Sequence, residues 1–138
     1  MAVDTIAGLK AKMPQNTAAG TSVADLWDLI DTMEDRTTQA LLTVTGDYGV
    51  ALTDNRRKIV VNSTLARTIT LPSNTPVGFE LMIIQLGTGA GVIAATGGSI
   101  LSKDNHSRTS GQYSVAYAVC HANTGSSPQI ILTGDTAP

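Results

Sequence analysis

The sequence predicts a mainly β fold, an antiparallel β-sandwich or small barrel of about eight or nine short strands behind an N-terminal arm with one or two short helices. Three observations predict it. Short runs of β-branched and apolar residues recur from residue 38 onward, each closed by Gly, Pro, Asn or Ser. They recur at a spacing of about ten residues, too short for intervening helices. Charged residues make up only 14% of the chain and aromatics 4%, against 42% hydrophobic residues. A chain this sparing of charge suits a core of small side chains, or a surface partly covered by other subunits.

The arm comes first, over residues 1–40. Residues 4–13, DTIAGLKAKM, suit a short helix capped by Asp4, with Ile6, Leu9 and Met13 on one face. Gly8 weakens that helix and Pro14 ends it. The stronger helix begins at Ser22, where Ser22 and Asp25 form a variant capping box. Val23, Leu26, Trp27, Ile30 and Met33 then recur at three- and four-residue steps and make one apolar face. Asp25, Asp28, Asp31 and Asp35 fall on the other side, and the first two sit favourably near the helix N-terminus. So short a helix needs a partner surface for its apolar face.

The β-domain follows over 41–138. Runs at 41–45 and 48–52 flank Gly46-Asp47, a candidate hairpin or bend. Four runs, at 58–62, 67–71, 80–85 and 92–95, form the densest strand signal, with a further short run at 99–102. Residues 103–111, KDNHSRTSG, read as a polar loop. The longest strand candidate is 112–122, alternating Tyr113, Val115, Tyr117 and Val119 against Ser114, Ala116, Ala118 and Cys120. A turn at 123–128 leads to the last strand at 129–133, and 134–138 reads as a polar tail.

Candidate chemistry is thin. Gly87-Thr88-Gly89-Ala90-Gly91 has the look of a phosphate-binding loop, but a strand follows it instead of a helix, and no Lys follows. It reads as a turn. His106 lies near Asp104, Ser107 and Ser110, yet neighbours in one polar loop rarely reach the geometry nucleophilic catalysis needs. Asp104 and His106 are two metal ligands without a third. The loop is instead a candidate exposed binding loop through Asp104, Asn105, His106 and Arg108. Cys120 alone permits neither an internal disulfide nor a Cys-based zinc site, and on a strand it faces away from His121. It reads as a small buried residue. Arg56-Arg57-Lys58 is the one basic cluster, by default a solvated turn. With a net charge of −2, nucleic acid is not an expected partner. No stretch approaches the roughly 20 apolar residues of a membrane span, and the opening MAVDTIAGLK does not look like a secretory signal. The reading is a non-enzyme without catalytic residues, metal or cofactor.

These pieces together resemble a family. SVADLWDLIDTM, then ITLP at 69–72, PVGFELMIIQLGTGAGVI at 76–93, QY at 112–113 and LTGD at 132–135 are similar to a β-domain of tailed-bacteriophage virion proteins. Its members include head-decoration and head-fibre proteins and modules of tail proteins. The resemblance spans roughly 22–135 and rests on turns and strand ends. Trp27 stands where an Arg is common in the family. The resemblance implies a structural virion protein, commonly a homotrimer, assembled in the host cytoplasm. It implies a capsid decoration (cement) or head-fibre protein on the capsid surface, docked on the major capsid protein through Ile6, Leu9, Met13, Val23, Leu26, Trp27, Ile30 and Met33. The alternatives are a tail, adaptor or neck component, or a receptor-binding module contacting a host-surface glycan.

Overall fold

A computed structural model describes residues 41–138. The helices expected over 4–13 and 22–34, and with them the eight docking residues of the arm, lie outside the described residues.

The strands are β1 (Leu42–Val44), β2 (Tyr48–Gly49), β3 (Arg57–Val61), β4 (Arg67–Leu71), β5 (Glu80–Gln85) and β6 (Gly91–Ala95), then β7 (Ser99–Leu101), β8 (Arg108–Thr109), β9 (Val115–Asn123), β10 (Pro128–Gly134) and β11 (Thr136–Ala137). A single 3₁₀ turn, Leu52–Asp54, links β2 to β3. Two sheets result, a six-stranded one in the order β1-β3-β5-β9-β10-β7 and a five-stranded one in the order β11-β8-β6-β4-β2. The fold is mainly β and consistent with a sandwich. The sheets are mixed, which corrects the expectation of an antiparallel arrangement.

The correction has a definite cause. The turn after β1 carries the chain across the core to β2 in the other sheet, and those after β3 and β5 do the same. Each pair of strands is therefore one coil of a flattened spiral. When the next coil returns to the first sheet, its strand runs the same way as its predecessor. Hence β1 pairs with β3 and β3 with β5 in parallel, as do β2 with β4 and β4 with β6. Gly46-Asp47 is a bend between sheets. Asp47 Oδ1 accepts from the Thr68 amide at 2.9 Å, which ties the first coil's bend to the second coil.

The C-terminal part supplies the antiparallel strands. β9 and β10 form a hairpin, β9 closes against β5, and β8 meets β6 and β11. The polar loop expected at 103–111 thus contains a strand, and Thr109 in it is buried. The expected polar tail contains β11, held to β8. Residues 112–114 do not join the long strand. Ser114 Oγ donates to the Gly111 carbonyl at 2.6 Å and closes a turn in which Tyr113 has φ +69°.

Between the sheets lie alternate residues of each strand. Ile59, Leu81, Ile83, Ile130 and Leu132 come from the larger sheet, and Ile69, Leu71 and Ile93 from the smaller. On β9 the small residues face in: Ala116, Ala118 and Cys120 are fully buried. Phe79, the single Phe, fills one end of the core. The glycine run at 87–91 is packed for close approach of backbones. A Cβ at Gly87 would meet the Ser63 backbone and one at Gly89 the Leu65 backbone. Buried Gln85 organises this turn, its Nε2 donating to the Gly87 and Thr88 carbonyls at 3.2 Å each. Its Oε1 accepts from Thr109 Oγ1 at 2.6 Å, and Thr109 in turn accepts from the Gly91 amide at 2.9 Å. Every polar atom of that cluster has a partner in the chain itself, as a buried polar group requires.

Candidate interaction surface

The period of two that fills the core also decides what each sheet turns outward. On the six-stranded sheet, register places most outward residues in three rows, with exposed His121, Gln129 and Ser99 forming a polar margin beyond them. Thr43, Val60, Ile84 and Val115 form the first. Lys58, Met82, Tyr117 and Thr133 form the second. Glu80, Val119, Ile131 and Leu101 form the third. Only Lys58 and Glu80 are charged, and the two Thr are the only other polar members. Val60 is buried and Met82, Ile84, Val115 and Val119 are half-buried, whereas Tyr117, Ile131 and Leu101 are 45%, 43% and 41% exposed. At about 4.8 Å between strands and about 6.7 Å between outward residues, the three rows cover roughly 400 Å². Within that area the apolar members Met82, Ile84, Val115, Tyr117, Val119 and Ile131 are contiguous, between the charged Lys58 and Glu80 and the two Thr.

The outward rows of the five-stranded sheet differ. Gly49, Thr70 and Ala94 form one, and Thr68, Val92, Arg108 and Ala137 the other. They are small or hydroxylated, and Val92 is the largest apolar side chain among them.

The basic cluster does not survive as a cluster. Arg56, at φ +66°, points outward and pairs with Glu80 at 3.3 Å. Arg57 turns inward and donates to Asp54 Oδ1 at 2.7 Å. Lys58 stands on the outer face without an ion-pair partner among the described residues. A shallow depression of about 170 Å³ lies there, lined by Arg56, Lys58, Glu80, Leu81, Met82 and Tyr117.

Asp54 is the buried carboxylate among the described residues, and its role is architectural. It accepts from the Tyr48 hydroxyl at 2.7 Å and the Ala51 amide at 2.9 Å as well as from Arg57. Burial acts to raise its pKa, but the Ala51 amide, the Tyr48 hydroxyl and the Arg57 guanidinium outweigh it and hold the carboxyl below its usual range. Burial and then the Asp54 carboxylate push the Tyr48 hydroxyl up. Burial likewise pushes the Cys120 thiol up, and Sγ lies 3.6 Å from the Thr75 carbonyl, so it is a poor nucleophile.

The loop named from the sequence is partly fastened. His106 Nδ1 lies 3.0 Å from Thr136 Oγ1, and Ser102 Oγ donates to the His106 carbonyl at 2.9 Å. Asp104 and Asn105 are exposed, and Arg108 sits on β8 facing out from the smaller sheet. No group of three or more potential metal ligands occurs among the described residues. No helix among them is long and apolar enough to cross a membrane.

A second surface was not singled out from the sequence. The turns 62–66, 86–90 and 110–114 lie side by side at one end of the sandwich. The Gly89 amide donates to the Ser63 carbonyl at 2.8 Å, Gln112 Nε2 to the Leu86 carbonyl at 3.0 Å, and the Tyr113 amide to the Gln85 carbonyl at 2.7 Å. Each turn carries an exposed large side chain: Leu65, Leu86 and Tyr113, the last 72% exposed. The signal in the sequence is an aromatic, Tyr113, two residues after Gly111.

Comparison with models of known protein families found no match, and comparisons with curated proteins and with solved structures found none either.

Proposed function

We propose that this chain is a structural protein of a tailed-bacteriophage virion, a capsid decoration or head-fibre protein that self-associates and docks on the major capsid protein through residues 1–40. The observation that carries the assembly part of this reading is the apolar outer face of the six-stranded sheet. A sheet whose outer face carries Met82, Ile84, Val115, Tyr117, Val119 and Ile131 side by side is suited to being covered there by another surface. The phage part rests on the family resemblance of 22–135. The apolar residues of the arm at helical spacing supply the docking contact, and several arms on one assembly gain from effective concentration.

Immunogold labelling of intact virions with antibody against 41–138 tests the reading. Gold spread over the head is the expected result. Gold confined to the tail or neck replaces head docking with a tail or adaptor role, and virions without gold overturn the reading.

A second reading, a receptor-binding module, is favoured by the tip formed by Leu65, Leu86 and Tyr113. An exposed aromatic next to Gln112 suits stacking on a sugar ring. Binding on a glycan array that is lost in Tyr113→Ala would support it. No binding by the wild-type protein would remove it.

A further inference from the structure

We propose that the end of the sandwich carrying the turns 62–66, 86–90 and 110–114 docks on a lipid surface, with Leu65, Leu86 and Tyr113 entering the headgroup boundary of a zwitterionic bilayer. The partner differs from the sugar of the second reading, and neither the docking of residues 1–40 nor self-association depends on it.

Three features point to lipid. The first is the placing of the side chains. Leu65 and Tyr113 are 63% and 72% exposed, so the core gains little from either. Tyr113 also stands at φ +69°, a conformation that bulky residues rarely adopt and that Gly fills without strain. A strained aromatic held out into solvent serves something other than folding. The second is charge. No residue of the three turns is charged, in a chain that is 14% charged. The charged groups at their shoulders are mostly tied back. Asp47 Oδ1 accepts from the Thr68 amide at 2.9 Å, Arg67 Nε donates to Ser63 Oγ at 3.0 Å, and Asp135 Oδ2 accepts from the Val115 amide at 3.3 Å. With Arg108 on β8 they are two of each sign, so nothing selects an anionic surface, and no charge leaves water when the turns sink in. The third is the backbone. The amides of Leu65, Leu86, Gly87, Gly89, Tyr113 and Ser114 all have acceptors in these turns or in the strands that enter them. Gln112 Nε2 is likewise spent on the Leu86 carbonyl at 3.0 Å. Turns whose donors are already paired enter an apolar boundary without the penalty of unpaired amides, and a Tyr hydroxyl suits the headgroup level. A sugar, by contrast, is held through free donors and acceptors.

Flotation of the full chain with vesicles tests the proposal. The vesicles are phosphatidylcholine alone and phosphatidylcholine mixed with phosphatidylserine. The proteins are wild type, Leu65→Ser, Tyr113→Gly and Tyr117→Ser, the last on the outer face of the six-stranded sheet. Wild type and Tyr117→Ser should float equally with both vesicles, in low and high salt alike. Leu65→Ser and Tyr113→Gly should each weaken binding about tenfold, the loss of one inserted apolar side chain. Gly suits the backbone at 113, so Tyr113→Gly should keep the β circular-dichroism signal of wild type while losing the lipid. A wild type that does not float overturns the proposal, and glycan-array binding that Tyr113→Gly abolishes then gives this end to a sugar. Binding that both turn variants retain in full also overturns it, and moves the lipid contact to residues 1–40 or to a sheet face. Binding to the anionic vesicles alone overturns it too, because these turns hold no charge to select them.

Discussion

The two sheets share one core and turn unlike faces to the outside. Outward from the larger come Val60, Met82, Ile84, Val115, Tyr117 and Ile131, and outward from the smaller come Thr68, Thr70, Ala94 and Arg108. Folding constrains only the inward half of each strand. The smaller sheet fills its outward half mostly with small or hydroxylated residues, whereas the larger sets a band of large apolar residues between Lys58, Glu80 and its Thr residues. The difference separates what the chain needs in order to fold from what it needs in order to assemble.

Adjacent isoleucines on β10 give the sharpest way to break that separation. Ile130 is fully buried and Ile131 is 43% exposed. Ile130→Ala should lower unfolding free energy by about 2–5 kcal/mol in urea denaturation, the cost of a core cavity. If it costs no more than Ile131→Ala, the division into inward and outward faces is wrong.

The next effect concerns the edge where the sheets are tied together, since Asp54 joins Tyr48 of the smaller to Arg57 of the larger. Asp54→Asn should cost about 2–3 kcal/mol, because it leaves Arg57 without its buried counter-charge. The pH dependence follows from the sign of the shift. The folded carboxyl titrates below the unfolded one, so the unfolded chain takes up the proton first as pH falls. The contribution is complete at neutral pH. It declines below about pH 4 and is gone once pH passes the folded value. Wild type should therefore lose more stability than Asp54→Asn between pH 5 and pH 2 in thermal unfolding, and parallel curves would exclude the role.

Ile131→Ala should cost under about 1 kcal/mol in the unfolding of the single chain, yet weaken self-association about tenfold by sedimentation. Smallest of all, Thr70→Val on the other outer face should stay within about 0.5 kcal/mol and leave association unchanged. A large effect there would mean that the smaller sheet is also covered.

Much of this was readable in the sequence. β5, ELMIIQ, is apolar at successive positions, which is how a strand buried on both sides is written. The alternation of β9 was plain, as was the burial of Cys120 opposite exposed His121. What could not be read is which strand pairs with which. A period of two tells a strand its faces and says nothing of its neighbours, so turns that cross between sheets look like turns that reverse within one. Long-range polar partners are equally silent. Gln85 and Thr109 meet across 24 residues, and neither carries a local mark of the other. The RRK cluster divides because adjacent strand residues point to opposite sides: Arg57 turns in to Asp54, while Arg56, paired with Glu80, and Lys58 stay outside. The rows of that face needed the register before Tyr117 could be placed among them.

The order of the strands along the chain has a consequence for synthesis. β5 lies between β3, made before it, and β9, which begins some 30 residues later. A ribosome therefore presents β5 with one edge unpaired and both faces apolar for as long as those residues take to emerge. The longest antiparallel pairing, β9 with β10, is local and forms quickly once its turn is out, whereas the parallel coils must close larger loops. The nascent chain thus exposes its most adhesive strand before the hairpin that shields it exists. Neighbouring nascent chains on one message are then the first partners it can reach, and misassembly is a hazard from the moment β5 emerges.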